Sequence, residues 1–362
     1  MMEMGQPLVA RDIPLRMKNF AASAAIVVIA TAIYVFSPYN REPMEELYGP
    51  ASIAYTGYQF MATAAGVYVA LLAAYFLSGD EAGVAKSLRF LRIVREWARA
   101  PVQSYRQGLA GPDRVAVLST LLKGFYGPMM VKSLMIFCMG AWINGHVILQ
   151  SDWTGLSFLG WFDRVGFWFL LQVILFIDVF CFTVGYLVES RRLGNEIRSV
   201  DPTLVGWGAA LVCYPPFNFV TSHLLGQTVS DFPEFDDPNL HLAMNLTLLA
   251  LMATYASASA ALGLKASNLT HRGIICRGPY RVIRHPAYIC KNMAWWIGSV
   301  PVIMTAFDVS VFEGIKAAGS MAAWSSVYAL RALTEEDHLR GVDGAYAEYA
   351  AKVRYRFIPG VI

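Results

Sequence analysis

Long apolar runs separated by short polar stretches set the pattern of this chain. About twenty mainly apolar residues cross a bilayer core of roughly 30 Å. By that measure eight spans are predicted, at 20–37, 52–78, 129–149, 165–188, 203–224, 240–264, 287–307 and 314–333. The expected fold is an all-α, polytopic transmembrane helical bundle. The first run starts directly after Arg16 and Lys18 and lacks a small-residue cleavage site, so it reads as a retained span rather than a signal peptide.

The polar stretches carry a second pattern. Segments 1–19, 79–112, 189–202, 265–286 and 331–362 together hold 22 of the 29 Lys and Arg residues, whereas the intervening loops hold one, Arg41. Those loops carry acids instead, including Glu45, Glu46, Asp231, Glu234, Asp236 and Asp237. Basic residues gather on the cytoplasmic side of a membrane protein. The alternation therefore predicts eight spans with both termini cytoplasmic, in a multi-pass protein of a bacterial cytoplasmic membrane.

Two polar stretches have helical character of their own. In 84–99, Val84, Leu88, Leu91 and Val94 form one stripe and Arg89, Arg92 and Arg99 another, which suits a helix lying on an anionic leaflet. Residues 113–127 run into Gly127-Pro128, an expected break before the third span. A composition shift near 190–202 suggests an N-terminal four-span region, 1–200, and a C-terminal region, 201–362.

Composition sharpens this reading. The 362 residues are 56% hydrophobic and 15% charged, with a mean hydropathy of +0.44. A soluble chain averages about 45–50% apolar and about 25% charged, so disorder and an ordinary cytosolic enzyme are excluded. A net charge of +3 gives no support to nucleic-acid binding. The five cysteines show no CxxC or Cys/His spacing, so neither a metal site nor a disulfide framework is expected.

Polar side chains inside predicted spans are costly and stand out. Asp178 sits mid-span, Pro215-Pro216 interrupts the fifth span near Asn218 and His223, and Asn245 lies in the sixth. Proline lacks an N–H, which predicts a kink near 212–217. Asp178, Asn218 and Asn245 either join helices by hydrogen bonds or face a substrate cavity. His223 and His241 are expected to be structural.

The densest chemistry lies in 271–291 and 331–359. The loop packs Arg272, Arg277, Arg281, Arg284 and His285 close together, interleaved with Tyr280 and Tyr288. In the tail, Arg331 precedes Glu335, Glu336 and Asp337, and Arg331 and Glu335 would share a helix face. Such a two-sign cluster suits either the zwitterionic end of a small molecule or a basic loop neutralised by its tail.

The segments GPYRVIRHPAY (278–288), TEEDHL (334–339) and GVDGAYAEYAAKVRYRFIP (341–359) resemble, in order and spacing, the isoprenylcysteine carboxyl methyltransferase and phospholipid methyltransferase superfamily. The likeness covers roughly 240–362. It implies an integral membrane enzyme that binds S-adenosylmethionine at the cytosolic face and methylates a lipid-soluble or prenylated acceptor. Carried over by position, it assigns the cofactor to Gly263, Tyr280, His285, Pro286, Tyr288, Glu335 and Glu336. Arg284, Glu335 and Asp178 become the candidate catalytic groups. A carboxylate acceptor would need no general base, whereas an amine or phenol would need Glu335, Glu336 or Asp178 to take a proton.

One position departs from the family pattern. Where the family often has glycine two residues after the last tyrosine of RHPxY, this chain has Cys290 followed by Lys291, which would narrow the pocket or meet a substrate anion. The tail KVRYRFIPGVI also resembles NADPH-dependent sterol reductases, an alternative that the missing Gly-Asp pair weakens. A non-enzymatic lipid-binding protein of the same fold is the third reading.

Overall fold

The computed structural model describes residues 13–49, 54–78, 83–99, 108–219, 221 and 229–361. They form an all-α bundle whose only strands, among the described residues, are two antiparallel pairs of two-residue strands. Helices α1 (Ile13–Val35), α2 (Gly57–Ser78), α3 (Lys86–Arg99), α4 (Gly111–Gln150), α5 (Phe158–Leu187), α6 (Leu204–Leu211), α7 (Pro238–Leu262), α8 (Pro286–Val309), α9 (Val311–Val342) and α10 (Gly344–Lys352) follow in order. Five of them, α1, α2, α4, α5 and α7, are long and apolar enough to cross a membrane. The expected seventh and eighth spans are also continuous helices, α8 and α9, of 24 and 32 residues.

One expectation holds and one is corrected. The fifth predicted span is interrupted where the prolines predicted it: α6 ends at Leu211, turns cover 212–216, and helix resumes at 217–219. Two successive residues without N–H groups cannot extend the ladder. The opposite happens at Gly127-Pro128, where α4 runs unbroken for 40 residues with Pro128 inside it. At 1.5 Å per residue that is about 60 Å, twice a bilayer core, so 113–127 is the first part of a long helix. His223 lies outside the described residues.

The chain divides into two compact units, Met1–Lys132 and Ser133–Ile362, and this division does not coincide with the composition shift near 190–202. In the first, α1 packs on α2, and Val35, Met44 and Met61 form a small core. Helix α3 is fastened to α1 by polar contacts: Asn19 donates to the Gly83 carbonyl at 2.9 Å and accepts from the Ala85 N–H at 3.0 Å. Its Arg89 pairs with Asp113 at 2.8 Å.

In the second unit α7 packs between α5 and α8, and α8 packs on α9. Phe162, Phe167, Leu171, Leu248, Leu249, Met252 and Ala294 form its apolar core. Side-chain caps begin the helices. Asp237 accepts from the Leu240 N–H at 2.7 Å ahead of α7, and Ser310 from the Glu313 N–H at 3.1 Å ahead of α9. Ser310 alone separates α8 from α9, making a tight hairpin. His241 contacts Asp163 at 3.1 Å, and Asn245 donates to the Pro233 carbonyl at 3.0 Å, so both join α7 to neighbouring segments, as the structural reading expected.

At one end of this unit the connecting segments knit together. The two-residue strands Ser199–Val200 and Thr270–His271 pair, and the Asp201 N–H donates to the Leu269 carbonyl at 2.8 Å. Asn195 donates to the Val188 and Leu264 carbonyls. Ala266 lies so close to Gly185 of α5 that a side chain there would meet its carbonyl oxygen. These contacts hold the basic loop against the helix ends.

Candidate functional site

The loop, the end of α9 and the tail meet around one carboxylate. Glu336, 1% exposed, accepts from His285 Nε2 at 3.1 Å and from Arg340 at 3.0 Å. Arg284 Nε and Arg356 Nε lie 3.1 and 3.2 Å from its two oxygens, without hydrogen-bond alignment, and contribute by charge. Burial alone would raise the carboxyl pKa. The His285 hydrogen bond and the His285, Arg284 and Arg356 charges outweigh it and bring it down to about 2.

The tail closes this cluster with its backbone. The Arg284 N–H donates to the Tyr355 carbonyl and the His285 N–H to the Arg356 carbonyl, each at 3.0 Å. Tyr349 donates to the Tyr280 carbonyl at 2.8 Å, and Asp343 lies 2.8 Å from His271. The His285 ring is stacked on Tyr288, with centroids 5.5 Å apart, and meets Phe357 on a tilt. Pro286 is the first residue of α8, where a missing N–H costs nothing.

Beside this cluster lies a small cleft open to solvent. Asp201, Asn268, Tyr288, Arg331, Glu335 and His338 supply most of its polar lining. Tyr288 donates to Glu335 at 3.0 Å. Arg331, 6% exposed, donates to Asn268 at 3.1 Å and lies over the rings of Tyr288 and Tyr328, 5.0 Å from each, and of Tyr214. Burial pushes the His338 imidazole down, so the neutral ring faces the cleft near pH 7. Leu269, also in the lining, holds φ at +61°, a conformation that costs a non-glycine residue energy.

The predicted site residues therefore separate. Tyr288 and Glu335 line the cleft. Glu336, His285 and Arg284 are bound to one another instead. Tyr280 tethers the tail through its carbonyl. Gly263, at φ +55°, ends α7 in a conformation that favours glycine, and Arg277 donates to the Ala261 carbonyl beside it. Asp178 is elsewhere, joining α5 to α7: it accepts from Tyr255 at 2.6 Å and from Ser259.

Sequence reasoning missed Asp201, Asn268 and His338. Asp201 gave a signal only as part of a cap: it accepts from Thr203, which in turn caps α6. Nothing in the sequence singles out Asn268. No protein-family model, curated protein or solved structure matches this chain.

Proposed function

We propose that this protein is an integral membrane methyltransferase that uses S-adenosylmethionine to methylate a lipid-soluble or prenylated acceptor. The observation that carries the reading is the cleft, in which an acid and a base, Glu335 and Arg331, lie one helical turn apart. That pair suits an amino-acid zwitterion, since a carboxylate draws its ammonium and a guanidinium its carboxylate.

The donor set fits the methyl donor. Glu335 would hold its ammonium and Arg331 its carboxylate. The cofactor supplies an electrophilic methyl group that leaves a neutral thioether behind. Tyr288 fixes the Glu335 carboxylate through its hydroxyl, and Asn268 fixes the Arg331 guanidinium, so both charges are oriented in advance. Asp201 and His338 add polar groups for the hydroxyl-bearing remainder. Glu336 has a different role in this reading: it anchors the tail and loop that frame the cleft.

Supporting the membrane setting, Tyr288 sits in the first turn of α8 and Arg331 near the end of the part of α9 that was expected to span, so the cleft adjoins those helices. The concentration of basic residues in the loop and tail supports a cleft at the cytoplasmic face of a bacterial inner membrane.

Equilibrium binding of S-adenosylhomocysteine and of NADPH to the detergent-purified chain tests the reading. Micromolar binding of the former is expected, abolished by Glu335→Gln and weakened by Tyr288→Phe. Binding of NADPH alone would overturn it in favour of a reductase, and binding of neither would point to a non-enzymatic lipid-binding role.

A further inference from the structure

One helical turn along α8 from Tyr288 stands Lys291, within a segment expected to span the membrane. It is half-buried, and its Nζ lies over two rings, 5.2 Å from the centroid of Tyr255 and 5.1 Å from that of Trp295. Among the described residues no carboxylate comes within ion-pair distance of it. Asp178 attracts it from further away, but the Asp178 oxygens are engaged by Tyr255 and Ser259. Arg331, on the neighbouring helix, adds a second positive charge that also rests on tyrosine rings.

A second, independent group points the same way. Trp324 is 5% exposed, its ring packs against Trp295 and Tyr328, and its Nε1–H is buried with no acceptor. Lys291, held by ring contacts alone, and Trp324, whose N–H has no acceptor, thus both pack on the same ring, Trp295. A buried donor without a partner costs free energy, and a charge at membrane depth costs more. Both costs fall if an oxygen carrying negative charge is held beside Trp295.

We infer that Lys291 and Trp324 hold the anionic oxygen of a lipid-soluble molecule, in an aromatic site formed with Tyr255, Trp295 and Tyr328. The head would be a carboxylate or phosphate type of oxyanion, and its apolar remainder would lie among the spanning helices. The site adjoins the cleft of Glu335 and Arg331, but the inference does not depend on what that cleft binds.

The test uses the full chain in phosphatidylcholine nanodiscs, with empty discs subtracted, and three probes of one chain length: oleate, oleyl phosphate and oleyl alcohol. At least one anionic probe should bind saturably and about tenfold tighter than the alcohol, as a desolvated charge contact predicts. Whichever anion binds more tightly identifies the head as carboxylate or phosphate. Lys291→Met should remove that preference and leave the alcohol unaffected, Lys291→Arg should retain it, and Trp324→Phe should weaken the anions a few-fold. Equal binding of all three probes to the wild-type chain overturns the inference, and that comparison needs no variant to fold. A preference that survives Lys291→Met overturns it as well.

Discussion

At the scale of residues, adjacent acids do different work. Glu335 and Glu336 look interchangeable in the sequence, yet one faces a cleft and the other lies among three arginines and a histidine. Glu336→Gln leaves Arg284 and Arg356 without their counter-charge, and loss of one partner of a buried ion pair costs about 3–5 kcal/mol. A clearly lower apparent unfolding midpoint is expected, whereas Glu335→Gln should leave it nearly unchanged. Acid should act through the same group. Its pKa falls from 4.5 to about 2 on folding, worth on the order of 3 kcal/mol. Because the folded value is the lower one, that contribution is complete above about pH 5 and is lost as pH falls toward 2. Unfolding midpoints of the wild type between those limits should drop more steeply than those of Glu336→Gln.

Asp178 makes the interhelical hydrogen bonds that were one of its two expected roles. An ionisable group in a span is a functional candidate by default, but here both oxygens are engaged by Tyr255 and Ser259 of the facing helix. The RHPxY motif behaves likewise. Its histidine and arginine secure the fold around Glu336, and its tyrosine reaches the cleft.

At the scale of elements, the tail acts as a strap on the loop. The Tyr355 and Arg356 carbonyls are the acceptors for the Arg284 and His285 N–H groups. Removing residues 353–362 should therefore expose those two amides, and hydrogen exchange should show their protection lost while the amides within α7 keep theirs. The loop has a second anchor at Gly185, where Ala266 leaves no room for a side chain. Gly185→Val should lower the apparent unfolding midpoint, with the roughly 1–3 kcal/mol cost of overpacking. Helix α3 kept its predicted amphipathic form because its stripes are spaced at the helical repeat, with Val94 and Trp97 still about 40% exposed.

At the scale of the whole molecule, the alternation of basic and acidic loops predicts a topology that chemical labelling can check. Cys276, exposed in the loop, should react with a membrane-impermeant maleimide in inside-out vesicles and not in intact spheroplasts, measured in a chain whose other cysteines are replaced. Labelling from the opposite side would reverse the orientation argued from the charges.

The sequence by itself determined the all-α membrane architecture, because apolar runs of span length leave the backbone no other way to satisfy its hydrogen bonds in lipid. It also located the loop and tail that carry the polar chemistry. It misread Pro128, which stays inside a helix, and anticipated the break at Pro215-Pro216, since a helix can accommodate one lost N–H more readily than two in succession. Only the tertiary structure decided which polar residues meet. Asp201, Asn268, Arg331 and Glu335 come from three separated stretches of chain, and a side chain's partner is set by the packing of helices that no local pattern encodes.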